Sequence, residues 1–221
     1  MSIPLLCGPS HKKDERDLAI STTATPEPAQ RTQRAAARRN RKRILDAARE
    51  LMAQAGFDAQ VEEIARRAGV GVGTVYRHFP NKVDILDALI EARFESLSNA
   101  AREGIANPDP WEGFSEFMRY SAEVMARDRA LSEAMFEQPE MMRAGAEGVG
   151  MPELLTELVG RAQASGELRP EVIWEDVPGL ICGLGRALNE GTIGPQEMSW
   201  ERYLAIILDG LRAPGRERLP D

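Results

Sequence analysis

Apolar side chains recur every three or four residues along most of the chain and nowhere alternate with period two, which predicts an all-α fold. Over 31–56, Ile44, Leu45, Ala48, Leu51, Met52 and Ala55 share one helical face behind a basic front, and Gly56 is placed as a C-terminal stop. Val61, Ile64, Ala65 and Ala68 give two further amphipathic turns, broken at Gly69-Val70-Gly71. A second short helix runs to Phe79, with Val75 and Phe79 one turn apart on its buried side. Pro80 ends it and Asn81 is a candidate cap for the next helix. There Val83, Leu86, Leu89, Ile90, Phe94 and Leu97 carry a stripe that fades near Gly104.

Pro108 and Pro110 mark a boundary, and every periodic segment beyond it is again helical. Phe114, Phe117, Met118, Ser121 and Met125 share one face, and further segments are expected at about 130–136 and about 152–164. Val177, Leu180, Ile181, Leu184 and Leu188 form one late stripe. Trp200, Tyr203, Leu204, Ile207, Leu208 and Leu211 form another, bounded by Pro195 and Pro214. The first thirty residues mix Pro, Ser, Thr and charges without apolar period, the composition of a disordered tail. The expected organisation is therefore a tail over 1–30, a helix-turn-helix head over 31–97 with its motif at about 61–80, a larger helical body over 98–214, and a short tail over 215–221.

Charge sharpens this division. The 221 residues carry a net charge of -7, but residues 31–82 hold twelve Lys/Arg against five Asp/Glu, whereas 83–221 hold thirteen against twenty-six. A basic contact module on an acidic body is the pattern of local, not bulk, polyanion binding. Two cysteines, Cys7 and Cys182, are too few for a disulfide framework or a four-thiolate metal site and suit a reducing compartment, so cytoplasm is expected. The start as far as Cys7 lacks the basic residues and the small residue that a lipoprotein cleavage box needs, and no run of about 18 apolar residues predicts a membrane span.

The chemistry is concentrated in one stretch. A helix-turn-helix needs small residues where its helices cross, a residue tolerant of positive φ in the turn and a polar outer face on the second helix; Ala65 and Ala68, Gly69, and the short helix before Phe79 meet all three. With Val75 and Phe79 turned inward, Thr74, Tyr76, Arg77 and His78 point out, as types that donate to phosphates and touch base edges or thymine methyls in a major groove. The basic run over 38–43 beside this motif makes Arg41 and Arg43 candidate phosphate contacts.

The run Ile64-Ala65-Arg66-Arg67-Ala68-Gly69-Val70-Gly71-Val72-Gly73-Thr74-Val75-Tyr76-Arg77-His78-Phe79-Pro80-Asn81-Lys82 resembles the DNA-binding motif of the tetracycline-repressor-like (TetR) regulators, over about a quarter of the chain. The resemblance implies a dimeric repressor-type regulator with a three-helix head and a divergent helical body that binds an effector. It implies that Val72, Gly73, Thr74 and Tyr76 meet base edges or sugars, and that Tyr76, His78 and Lys82 meet phosphates. Two positions depart from the family's pattern: Gly71 replaces the usual Ser that caps the recognition helix, and Gln60 stands where a capping Thr is usual. Gly caps less well than Ser, so a head looser in the absence of DNA is expected.

Competing assignments of the same residues are weaker. Gly69-Val-Gly-Val-Gly73 follows no strand and has Thr74 where a dinucleotide loop needs its third glycine. His78 has only His11 as a fellow histidine and no serine elbow or metal motif beside it, so no catalytic residue, cofactor or metal is expected.

In the body, seven of the nine methionines fall between Met118 and Met198, among several aromatics. Methionine suits irregular apolar pockets. A pocket for a small apolar effector is expected among Phe94, Phe114, Phe117, Met118, Met125, Met135, Phe136 and Trp174, with packing in the core as the bland alternative for each. Because the family's last two long helices usually build a four-helix dimer interface, Leu180, Leu184, Leu188, Trp200, Leu204, Ile207, Leu208 and Leu211 are assigned to dimerisation. Gly179, Gly183 and Gly185 would let a partner helix approach there; packing within one chain is the alternative. The stretch 161–170, followed by Trp174-Glu-Asp-Val, also looks like a C-terminal subtype common in actinobacterial relatives of this kind.

The expectation is a homodimeric, ligand-responsive regulator that reads a palindromic double-stranded operator with two recognition helices about 34–36 Å apart, nucleoid-associated when bound. A regulator without small-molecule effector, controlled by a protein partner or by abundance, stays open at this point. A helical enzyme is the third and remote reading, since no catalytic constellation is present, and absence of any DNA binding would revive it.

Overall fold

The computed structural model describes residues 28–55, 59–189, 199–215 and 219. Among them are ten helices: α1 (Pro28–Ala55), α2 (Val61–Ala68), α3 (Val72–His78), α4 (Lys82–Ala106), α5 (Pro110–Arg127), α6 (Arg129–Phe136), α7 (Pro139–Gly148), α8 (Met151–Ala164), α9 (Asp176–Asn189) and α10 (Trp200–Leu211). No strand occurs among the described residues apart from an isolated bridge between Leu168 and Arg212. The all-α expectation holds.

The chain divides into two compact units, Met1–Ala36 and Ala37–Asp221. Of the first, the described part is the opening of α1, whose side chains at 32–35 are exposed. The expected tail over 1–30 lies outside the described residues as far as 27, but 28–30 are helical, because Pro28 has a φ preset for a first helical position. Gly56, the expected stop of α1, lies outside the described residues, as does most of the tail over 215–221.

Capping explains where several helices start. Asn81 caps α4 as expected: its side chain accepts from the Asp84 N–H at 3.0 Å while Asp84 accepts from the Asn81 N–H at 3.0 Å, a complete capping box. Asp109 caps α5 at 2.9 Å, with Pro110 at the first helical position. Neither Gln60 nor Gly71 makes a side-chain cap, so α2 and α3 start without one.

The centre of the second unit is α4 against α5, flanked by α8, with α9 and α10 packed on the far side of α5. The two central helices touch at Gly104 and Gly113, where a Cβ on either residue would run into the other's carbonyl oxygen. Phe114, Met118, Ala101 and Leu158 fill the layer around this crossing with no exposed surface to speak of. Burial along α4 runs from Ile85 to Gly104, so this one helix, roughly 37 Å long at 1.5 Å per residue, is anchored beside α3 at one end and in the core of the body at the other.

Helix α7 is the element the sequence pattern missed. None of its residues is fully buried, and Met141, Met142 and Ala146 are only half covered, so it has no clean apolar stripe.

Candidate functional site

The recognition unit is assembled by side chains on α1. Ile64, Ala65 and Ala68 of α2 are buried, and the small alanines let α2 and α3 cross closely. Gly69 takes φ +62 and its N–H and that of Val70 return to the last carbonyls of α2, a turn that any Cβ would strain. Arg43 Nη2 donates to the Gly69 carbonyl at 3.1 Å, and Arg67 pairs with Glu50 of α1 at 2.8 Å. At the far end of α3, the Arg41 guanidinium lies 5.0 Å from the centre of the Phe79 ring. Arg41 and Arg43, both exposed, thus hold the motif together from α1, a scaffolding role that sequence reasoning missed because it depends on which turn they reach.

Helix α3 presents the expected face. Val75 and Phe79 are buried while Tyr76 is 46 % exposed, the largest outward aromatic of the head. Gly73 and Arg77 are exposed, and Val72, Thr74 and His78 are half-buried. Arg77 is folded along its own helix, Nε donating to the Gly73 carbonyl at 3.2 Å and Nη2 to Thr74 Oγ1 at 3.0 Å. His78 leans on Phe79, ring centres 6.4 Å apart. Lys82 is the first residue of α4, half-buried, directly after this face. The face combines one ring, two cations and a helix start, which suits phosphate and base-edge contacts together.

In the body, α4 to α9 enclose a cavity of about 430 Å³. Of the expected residues, Phe94, Phe117, Met125, Met135, Phe136 and Trp174 line it. Phe114 and Met118 do not: both have 0 % exposure and belong to the core at the α4–α5 crossing, one helical turn away from the wall. Met142 and Ala146 of α7, Met151 and Leu155 of α8 and Ile181 of α9 complete the apolar lining. The volume and lining are those of a small-molecule site.

The wall also carries polar groups that the stripe pattern does not disclose. Arg93 is 4 % exposed, and its Nη2 lies 3.5 Å from Asp128 Oδ2; the same oxygen lies 3.6 Å from Arg49 Nε of α1. Burial pushes the Arg93 guanidinium down to about 10, with Asp128 opposing that shift and Arg49 and Arg127 adding to it. Ser121 is buried in the same wall, and its hydroxyl has no hydrogen-bond partner among the described residues. Cys182, a free thiol at the cavity's edge, is raised above the ordinary thiol value by burial. Cys7 lies outside the described residues.

The late helices differ from expectation in one respect. Leu184, Leu204 and Leu211 are 7 %, 2 % and 8 % exposed in the single chain, so they are core residues and not an open patch. The stripe seen in the sequence is spent on packing α9 and α10 onto α5 and each other. Leu180, Trp200, Ile207 and Leu208 are half-buried, and the side chain of Leu188 lies outside the described residues. The open face lies round the helices from the stripe: Ile206 is 59 % exposed, and Gly179 and Gly183 have no atom within 4 Å of where a Cβ would sit.

Comparison with known proteins places these features. Residues 44–89 match "Bacterial regulatory proteins, tetR family", and 109–213 match "Transcriptional regulator SbtR-like, C-terminal domain". The chain is 34 % identical over 138 residues to the HTH-type transcriptional repressor KstR of Mycolicibacterium smegmatis, a match spanning 60 % of this chain and 67 % of that protein. It is 35 % identical to the TetR transcription regulatory protein from Mycobacterium vanbaalenii, with a TM-score of 0.61 over 82 % of this chain and 99 % of that one. FadR from Bacillus subtilis, solved in complex with stearoyl-CoA, has the same fold at 22 % identity, with a TM-score of 0.63 over 78 % of this chain and 97 % of its own. These relatives are transcriptional regulators and not enzymes, and regulators of this type bind DNA operators and form homodimers. A helix-turn-helix that turns Tyr76 outward on a buried Val75 and Phe79, family matches over 44–89 and 109–213, and a structural counterpart that spans 82 % of this chain make this chain a member of the TetR family of DNA-binding transcriptional regulators.

Proposed function

We propose that this regulator is a homodimeric repressor that leaves a palindromic operator when a small apolar ligand fills the cavity of the body. The observation that carries the proposal is α4: Lys82 at its start adjoins the recognition face, and Phe94 and Leu97, three and four turns on, stand in the cavity wall. A ligand that presses on that wall therefore acts on the rod that sets the position of α3. It shifts the operator equilibrium only as far as it discriminates between the two positions of that rod.

On this proposal Arg41, Arg43, Tyr76, His78 and Lys82 meet phosphates, and Val72, Gly73, Thr74, Tyr76 and Arg77 face the bases. The bonded pair of Thr74 and Arg77 opens when DNA offers better partners. Dimerisation uses the open face with Ile206, Gly179 and Gly183, with Leu180, Ile207 and Leu208 at its margin. An isologous contact there supplies the two-fold axis that a palindrome requires. The acyl chain of the stearoyl-CoA bound by FadR supports a ligand with an apolar part by analogy of fold. On this proposal the protein acts in the cytoplasm, on the nucleoid.

The test is a mobility shift on the DNA upstream of the protein's own gene, titrated with an apolar dye that the cavity takes up. Release of DNA in step with dye uptake is the expected result, whereas a filled cavity with unchanged DNA affinity would refute ligand control. Ile206→Glu should sediment as a monomer with an unchanged melting temperature; an intact dimer would put the interface on another face.

A further inference from the structure

The cavity is apolar nearly everywhere, yet one of its corners holds a buried cation that is short of negative charge. Among the described residues, Asp128, itself 8 % exposed, is the only carboxylate that pairs with Arg93. It is shared: Arg49 of α1 approaches the same Oδ2 atom, at 3.6 Å against 3.5 Å for Arg93. Two guanidiniums on one carboxylate leave a net charge of about +1; Arg49 keeps 38 % of its side chain exposed, but Arg93 and Asp128 are buried, and burial of Arg93 with only a shared carboxylate is costly unless another anion or acceptor joins it. The distances are also long for charge-assisted bonds, which settle at about 2.7–2.9 Å, so neither arginine is fully satisfied. Elsewhere in the lining of the same cavity, the Ser121 hydroxyl is buried and without a hydrogen-bond partner among the described residues. Of the other charged groups at the cavity, Arg143 and Glu147 sit on exposed positions of α7 and carry opposite signs, so they add no net charge at the mouth.

Resting on the assignment of the cavity as the effector site, we propose that its ligand is an apolar chain with one anionic head, which docks on Arg93 and Ser121 and competes with Asp128 for Arg93. The rest of the triad gives the competition a consequence. Once the ligand's anion takes Arg93, Asp128 turns wholly to Arg49, and α1 is held more tightly to the α5–α6 junction. Helix α1 is also the helix that grips the recognition unit, through Arg41 on Phe79 and Arg43 on Gly69. Occupancy of the cavity is thereby read at α3 by a second route, parallel to α4.

Calorimetric titration of the full-length dimer with dodecanoate and with dodecanol, equal in chain length and different only in the head, tests the assignment. Dodecanoate should bind about tenfold more tightly, and Arg93→Gln should bring the two within about twofold, chiefly by weakening dodecanoate. Because Arg93 is buried and its variant can fail to fold, two further variants carry the test. Asp128→Asn removes the competitor and should raise dodecanoate affinity about threefold; Arg49→Gln, which lies outside the cavity wall, leaves Asp128 to Arg93 alone and should lower it by a similar factor. A merely structural triad would weaken binding in both variants, and that result overturns the proposal. Equal binding of the two ligands by the wild type overturns the anionic head but leaves the cavity as the effector site. Exclusion of both ligands and of an apolar dye removes the effector site as well.

Discussion

The head and the body of this regulator are built from the same kind of helix and use it in opposite ways. In the head, the helix-turn-helix buries Ile64, Ala65, Ala68, Val75 and Phe79 and leaves Tyr76 and Arg77 on the outside. In the body, the helices around the cavity turn apolar residues such as Phe94, Met135 and Leu155 towards one another and yet leave about 430 Å³ between them. An outer face is a property of one helix and its period. A void depends on how six helices fail to meet, and no single one of them carries its signature.

Four measurements press on this contrast. The largest effect is expected from salt: with about 6–10 phosphate contacts per dimer, operator affinity should fall roughly 10³ to 10⁵ fold between about 50 and 200 mM. Fluorescence anisotropy on the upstream DNA checks this, and a flat profile would mean that the outer face of the head is not an electrostatic footprint. Next, Phe79→Ala should cost about 3–5 kcal/mol in stability, since Phe79 is 3 % exposed and also carries Arg41; thermal or denaturant unfolding reads it. Tyr76→Ala should do the reverse, taking about 1–3 kcal/mol from operator affinity and leaving the melting temperature where it was. If the Tyr76 variant unfolds instead, the division between inner and outer faces of α3 is drawn in the wrong place. The smallest effect belongs to Asn81→Ala, which breaks the capping box of α4 and should lower stability by about 0.5–2 kcal/mol. A loss of operator affinity larger than that would indicate that the start of α4 is itself part of the DNA contact.

Periodicity alone was enough for most of the helices, because each of these has an apolar stripe facing the core, and enough for the cap at Asn81, whose partner Asp84 is three residues away. It missed α7, which lines the cavity and has no fully buried residue. The motif over 64–82 predicted which side chains of α3 point outward since every requirement it meets is local: small residues at a crossing, a positive φ at Gly69, an apolar pair one turn apart. Composition pointed to methionine-rich walls, and Met125 and Met135 are indeed at the cavity, but it had no means of separating them from Met118, which faces the core from the same helix as Met125.

What the sequence by itself determined, then, is whatever depends on neighbours within about one helical turn: helix positions, caps, the turn at Gly69 and the outward face of α3. Tertiary structure alone decided the assignments that depend on residues far apart in the chain. Leu184, Leu204 and Leu211 carry the same stripe whether it faces a partner or the chain's own α5, and only packing made them core. Arg49, Arg93 and Asp128 are ordinary surface-type residues in the sequence, separated by 44 and 35 positions. They become one charge-imbalanced site because the fold removes two of them from water and leaves them a single carboxylate to share.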